Sequence, residues 1–276
     1  MKLSVIMPAL NEEKNIFDDV TETLSAFNAL DLDGEVIVIN DGSTDRTSDI
    51  VRNIMKKDVR VKLINHDSPW GIGGSFWDGV KNSGGDAVTW LPGDNENDPL
   101  EALRYIHILE HVDIIVPFIY NRHVRSVFRN ILSLIYRRII NTTFVTNLNY
   151  TNGTVIYRKS ILSNLKIKST GFFYQTDILI RLIKKGYLFA EVPCRLNQRK
   201  AGKSKAVSYP SLVKVVKGYF NLLKDTYLRN KSSRFCNRPL RGSLSAKRLI
   251  IDQFIKNKFK KEIYSDARIL NSDKEK

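Results

Sequence analysis

The chain is poor in the residues that usually settle a protein's chemistry. Its two cysteines, Cys194 and Cys236, are too few for a disulfide framework and have no metal-ligand spacing. They read as reduced bystanders, which fits a cytosolic environment. The four histidines, His66, His107, His111 and His123, make no pair at ligand spacing, and none reads as catalytic. No uninterrupted apolar run approaches the roughly 20 residues of a membrane span. A signal peptide is not expected either, because Met1-Lys2 leads straight into a short strand and then acidic residues. The sequence therefore predicts a cytoplasmic protein without a spanning segment.

An uneven distribution of charge and a regular alternation of elements are present instead. The 276 residues carry a net charge of +15, and 42% of them are apolar, enough for one large α/β domain or two small ones. Residues 1–100 hold 9 Lys+Arg against 18 Asp+Glu, and the remainder holds 35 against 11. This asymmetry predicts an anionic partner for the second part: a phosphorylated substrate, an acidic membrane surface or nucleic acid. Against nucleic acid, the basic segments lack interleaved aromatics or a known reader motif.

Strand and helix patterns alternate from the start. Strands are expected at 3–7, 35–39, 59–64, 86–91 and 113–118, with helices over 14–29, 46–57, 73–83 and 99–110 between them. Repeated β-α-β units of this length predict a mostly parallel sheet flanked by helices. Beyond residue 120 the pattern changes. Segment 122–141 places Val124, Val127, Phe128, Ile131, Leu132, Ile135 and Ile139 along one helical face, with Arg122, Arg125, Arg129, Arg137 and Arg138 supplying charge. Either a membrane-interface helix or a core-facing helix with a basic rim fits this pattern. Further strands are expected at 153–158 and 187–193, and helices at 175–185, 210–229 and 246–263, the last two basic.

Three of the strands end in clusters of carboxylates and turn formers. The first runs into Pro8-Ala9-Leu10-Asn11-Glu12-Glu13, the second into Asn40-Asp41-Gly42-Ser43-Thr44-Asp45, and the third into Pro92-Gly93-Asp94-Asn95-Glu96. Parallel strands would gather all three at one sheet edge, where open α/β folds bind ligands. Asp41 at a strand end can accept hydrogen bonds from a base or ribose, and Gly42 allows a close turn. Asp94 and Glu96, two apart on an extended segment, would face the same way as oxygen ligands for Mg²⁺ or Mn²⁺. Asp98 before Pro99 reads as a helix cap. Trp70-Gly71-Ile72-Gly73-Gly74-Ser75 lacks the Lys-Ser/Thr of a P-loop and reads as a loop packed near the ligand. Arg199 to Lys205 sets four cations and a hydroxyl around Gly202, either a solvated loop or one that closes over phosphate.

These motifs, in this order, resemble the family 2 glycosyltransferases of the GT-A fold, most nearly the polyprenyl-phosphate (dolichyl-phosphate) mannosyl- and glucosyltransferases. Val5 to Ile16 is similar to the family's opening strand and loop, and Val38 to Thr47 to its second motif. Gly71 to Gly79 with Gly85-Asp86-Ala87-Val88 resembles the stretch before the metal motif. Gly171-Phe172-Phe173 to Asp177, Glu191-Val192-Pro193 and Arg199 to Lys205 resemble the later part, so the likeness covers roughly residues 3–205. It implies a glycosyltransferase domain over 1–205, with a nucleotide-sugar half (1–118) and an acceptor half (119–205), followed by a basic helical extension over 206–276.

Residue by residue, the resemblance implies that Pro8, Leu10, Asn11, Glu12 and Asp41 line the nucleotide-sugar pocket and that Asp94 and Glu96 hold Mg²⁺ or Mn²⁺. Arg199, Ser204 and Lys205 would gather phosphate near the acceptor, with Arg125 and Arg129 on the basic helix as further phosphate contacts. The metal motif departs from the family at Pro92, where an aspartate is usual, and at Glu96, often glutamine. Asn149 stands where relatives often have aspartate. The expected donor is a nucleotide diphosphate sugar and the expected acceptor a polyprenyl phosphate at the cytoplasmic face of an anionic membrane. A lipid phosphate is already an anion and needs no general base; a glycan hydroxyl would need one, and Asp177 is then the candidate unless it only caps a helix. Catalytic roles thus fall to Asp94, Arg199 and, for a hydroxyl acceptor, Asp177. An inactive nucleotide-sugar-binding protein is the reading that Pro92 motivates.

Overall fold

The computed structural model describes residues 1–163, 165, 170–196, 209–229 and 238–257. Its centre is a seven-stranded sheet in the order β3-β2-β1-β4-β6-β5-β7. β1 (Leu3–Ala9), β2 (Gly34–Asn40), β3 (Val61–Asn65) and β4 (Ala87–Trp90) run parallel. β5 (Ile114–Ile119) and β7 (Phe189–Cys194) pair in the same sense. β6 (Ile156–Arg158) is inserted between β4 and β5 and runs antiparallel to both. The expected mostly parallel sheet with flanking helices is what forms.

The central strands β1 and β2 are mostly apolar because both sheet faces are covered there. Alternate residues feed opposite layers, Val5, Met7, Val36 and Val38 into one core cluster and Ile6, Ile37 and Ile39 into the other. On the first face lie α1 (Ile16–Ala29), α2 (Thr47–Met55) and α4 (Pro99–Leu103); Ile16, Val20, Leu24 and Phe27 of α1 are all buried there. On the second lie α3 (Ile72–Asn82), α5 (Val127–Phe144) and α7 (Tyr174–Lys184), and α8 (Tyr209–Leu223) packs against the same layer through Leu222. Between them, α6 (Lys159–Leu162) follows β6 directly.

Several boundaries differ from the sequence expectation. The helix expected over 99–110 divides into α4 and a 3₁₀ turn at Ile106–Glu110. The strand expected from 153 begins only at Ile156. The segment expected to be one helix over 122–141 starts as a 3₁₀ turn at Arg122–Val124; α5 then begins after Ser126, whose hydroxyl accepts from Arg129 N. Helix 210–229 is an α-helix only to Leu223 and continues as a π-helical turn over Lys224–Arg229. The last helix occupies residues 244–257 among those described.

The face that α5 turns outward is not the one a core-facing helix would show. Only Ile140 and Phe144 of α5 are buried, whereas Val127, Phe128, Ile131, Leu132, Leu134, Ile135 and Ile139 are exposed. On α8, Leu212, Val213, Val216 and Phe220 are also exposed. Among the described residues no helix is long and apolar enough to cross a membrane.

Candidate active site at the carboxyl edge of the sheet

The parallel register of β1, β2 and β4 carries their following loops to one edge, and β3 delivers His66 there as a fourth contributor. The loops are stitched to one another mainly through side-chain acceptors. Asn11, in the left-handed region at φ 58°, accepts from Thr44 N through Oδ1 (2.8 Å), while its own N–H donates to Ser43 Oγ (2.9 Å). Glu12 N donates to Thr47 Oγ1 and Glu13 N to Asp45 Oδ2. The Glu12 carboxylate accepts from Asn15 Nδ2 at 2.7 Å. Pro8 lies within β1 opposite Ile39, and both it and Leu10 are half-buried.

Asp41 anchors the loop that follows β3. Its Oδ1 accepts from Trp70 N (2.8 Å) and lies 2.7 Å from His66 Nδ1, while Oδ2 accepts from Gly71 N at 2.9 Å. A carboxylate has about four acceptor directions, so one remains on Oδ2 for a ligand. His66 is buried, its Nε2 lies 3.3 Å from Asp78 Oδ2, and its ring stacks on that of Trp70 with centroids 4.0 Å apart. The outer part of Trp70 is exposed. Gly42 reaches φ 78°, and a Cβ there would stand 3.0 Å from Pro69 Cδ, so the close approach of the two loops requires glycine. The histidines showed no site in the sequence; the available signal was that β3 ends, like its neighbours, in polar residues, Asn65-His66-Asp67.

The acidic loop after β4 is a tight turn, which corrects the expected extended segment. Asn95 adopts φ 58°, and Glu96 N donates to Asp94 Oδ1 at 3.3 Å. From beneath, Asp19 of α1 accepts from Asn95 N at 3.1 Å. Burial, with the neighbouring Asp94 next in weight, pushes the Asp19 carboxyl up to about 8. Asp98 caps α4, accepting from Leu100 N and Glu101 N ahead of Pro99 at the first turn, as its sequence position implied. A divalent cation fits this donor set. Asp94 and Glu96 are hard oxygen donors on one short turn, and Asp19, held neutral by burial, sits beneath them without competing for the cation. Among the described residues no three carboxylate, His or Cys groups converge as a complete cage, so donor phosphate and water would supply the remaining ligands.

The first turn of α5 reaches the same edge. Arg129 Nη2 stands 4.0 Å from Glu96 Oε2. Behind it, Arg122, Arg125 and Arg137 line a narrow cleft of about 20 Å³ with Asn130, Asn149 and Tyr150. Arg125 Nη1 donates to Tyr150 Oη (3.0 Å) and Arg137 Nη1 to Asn149 O (3.4 Å). Among the described residues none of these three arginines has a carboxylate partner. Asn149 is itself held by Glu191, which accepts from its N–H and from Nδ2.

Asp177 is not a helix cap, because α7 starts three residues earlier at Tyr174. It is nearly buried, and its Oδ1 accepts from Arg181 Nε at 2.9 Å; Arg181 also donates to Asp225 at 2.8 Å and so ties α7 to the π-helical turn. Arg199, Ser204 and Lys205 lie outside the described residues.

Residues 4–166 match the family model described as glycosyl transferase family 2, so the chain belongs to that family. Among curated proteins, it is 24% identical over 207 residues to an undecaprenyl-phosphate 4-deoxy-4-formamido-L-arabinose transferase of Edwardsiella ictaluri, covering 74% of this chain but 62% of the relative. It is 24% identical over 224 residues to an undecaprenyl-phosphate mannosyltransferase of Micrococcus luteus, covering 74% of this chain and 87% of that one. Among solved structures, glucosyl-3-phosphoglycerate synthase from Mycobacterium tuberculosis, in complex with Mn²⁺, UDP and phosphoglyceric acid, superposes with a TM-score of 0.60. That likeness holds at 19% identity over 87% of this chain and 80% of the other, and it shows a shared fold.

Proposed function

We propose that this member of glycosyl transferase family 2 moves a sugar from a nucleotide diphosphate sugar to a polyprenyl phosphate at an anionic membrane surface, with Mg²⁺ or Mn²⁺ bound at Asp94 and Glu96. One observation carries the acceptor: the outward apolar face of α5 adjoins a cleft whose three arginines have no carboxylate partner among the described residues. An apolar chain joined to a phosphate matches such a surface, since amphipathic helices bury their apolar face in the lipid boundary and guanidinium groups bind phosphate bidentately. The cleft is narrow, so the phosphate seats at its mouth. The two undecaprenyl-phosphate transferases among the relatives support the same acceptor class.

On this reading Pro8, Leu10, Asn11, Glu12 and Asp41 form the nucleotide wall. Asn11 and Asp41 act chiefly by fixing the loops, and Asp41 keeps one acceptor direction for the base or ribose. The cation, when bound, offsets charge on the diphosphate leaving group. Arg125 and Arg129, with Arg199, Ser204 and Lys205, hold the acceptor phosphate and the departing diphosphate. An acceptor phosphate oxygen forms the new bond to the anomeric carbon as the bond to the diphosphate breaks. Its second pKa of about 6 leaves it ionised at neutral pH, so no proton needs removal. The Arg181 pairing of Asp177 agrees with this, because a buried carboxylate engaged by a guanidinium is poorly placed to accept a proton from a hydroxyl.

The test is transfer from a panel of labelled nucleotide sugars to undecaprenyl phosphate in vesicles, with Mn²⁺ or EDTA. Product that partitions into organic solvent, needs the metal and falls by about 100-fold or more in Asp94→Ala is expected. Equal transfer in EDTA would refute the metal assignment. Transfer only to glycan hydroxyls would refute the acceptor.

A further inference from the structure

At the opposite, amino edge of the sheet, two features lie side by side and have no role in the chemistry above. The first is the helix over residues 244–257. It is rooted by Ser245, whose N–H donates to Asp113 Oδ2 at 2.9 Å, whose hydroxyl also donates to that oxygen, and whose Oγ accepts from Leu188 N at 2.8 Å. From Lys247 to Asn257 every residue is exposed, Ile250 by 67% and Phe254 by 70%. Ile250, Ile251, Phe254 and Ile255 form one stripe at helical spacing, flanked by Lys247, Arg248 and Lys256 against a single acid, Asp252. A helix of this length is marginal in water unless a partner covers its apolar face.

The second feature is a depression of about 1260 Å³, lined by Trp77, Val80 and Leu162, by the acids Asp31, Asp33, Asp86 and Glu110, and by Lys81 and the amino terminus. All four acids and Lys81 are exposed. Two of its cations are engaged by backbone, Arg158 donating to Leu109 O and Lys159 to Ser83 O. Arg158 also stands 3.5 Å from Asp113, the carboxylate that roots the helix. The helix thus starts beside the depression, yet past Ala246 its side chains remain exposed rather than covered by their own body.

We propose that the occupant of this depression is the 244–257 helix of a second copy of this chain, exchanged reciprocally to give a closed dimer. An apolar stripe with basic flanks meets an apolar floor whose four exposed acids outnumber the exposed Lys81 and the amino terminus, and one two-fold axis satisfies both helices and both grooves. The volume is ample for the four apolar side chains of the stripe. The exchange leaves the carboxyl edge, with the donor and acceptor sites, uncovered.

Sedimentation equilibrium of the full chain tests this directly. The wild type is expected to pass from monomer to dimer with rising concentration. Ile250→Glu/Phe254→Glu and, separately, Asp31→Lys/Glu110→Lys are each expected to weaken association by about 100-fold with an unchanged circular dichroism spectrum. Lys247→Glu/Arg248→Glu mixed with Asp31→Lys/Glu110→Lys should recover a heterodimer. A wild type still monomeric at about 100 μM would overturn the proposal, because a docked helix pair of this kind binds more tightly than that. So would dimerisation undiminished in the Ile250→Glu/Phe254→Glu variant. If that variant instead loses vesicle binding while both forms are monomeric, the helix serves lipid and the proposal is likewise overturned.

Discussion

At the scale of single residues, buried charge is the most informative feature. Glu35, at the start of β2, accepts from Ser4 Oγ, from Gly84 N and from Lys62 Nζ at 2.8 Å. Burial pushes its carboxyl up, but these bonds and the Lys62 charge outweigh burial and hold it at about 2 rather than 4.5. A carboxyl depressed in the folded state adds stability above its unfolded value and loses it as pH falls. The Glu35 contribution is therefore complete above about pH 5 and disappears between 4.5 and 2. Glu35→Gln is expected to lower stability at pH 7 by about 2 kcal/mol and to flatten the stability curve across that acid window, as urea titrations at stepped pH would show. His66→Ala, which removes the ring between Asp41 and Asp78, should cost about 2–4 kcal/mol and abolish stabilisation by nucleotide diphosphates in thermal melts. Asp41 stood out in the sequence only as a strand-end carboxylate, without its hold on the loop after β3, whereas Asp98 was fully legible as a cap before a proline. His66 and Asp19 were not, since their partners lie 25 and 76 residues away and only the folded sheet brings them together.

At the scale of elements, the apolar runs of β1 and β2 identified themselves because both faces of these strands are buried. β6 was expected within 153–158, but its short length and reversed direction were not, because neither leaves a mark in the residue pattern. For α5, periodicity revealed an apolar face but could not say which way it turns; tertiary packing decides that, and it leaves the face outward. The helix also ends on a strained residue. Val145 occupies the left-handed C-cap at φ 49°, where a β-branched side chain is disfavoured. Val145 is exposed, so Val145→Gly should relieve the strain without loss of packing and stabilise the protein by about 1 kcal/mol in chemical denaturation.

For the whole molecule, the charge asymmetry seen in the sequence has a spatial counterpart. The acidic first hundred residues build the loops after β1 and β2 and the turn after β4, whereas Arg129 of α5 stands beside that turn, with Arg122, Arg125 and Arg137 in the cleft behind it. If α5 rests on an anionic bilayer, part of the attraction is screened electrostatics, and co-sedimentation with phosphatidylglycerol vesicles should fall several-fold between about 50 and 500 mM salt. Phe128→Glu/Ile135→Glu should release the protein at every salt concentration while nucleotide-induced stabilisation persists. Binding indifferent to both changes would separate α5 from the lipid.

β6 has a mechanical consequence for this arrangement. It meets β4 at only two residue pairs and β5 at only two, whereas β1 and β2 share seven. The sheet is thus two stiff plates joined by a short seam, with β1 to β4 on one plate and β5 and β7 on the other. Any rocking of one plate against the other would concentrate its shear along Ile156, Tyr157 and Arg158, the short reversed strand that fastens the two together.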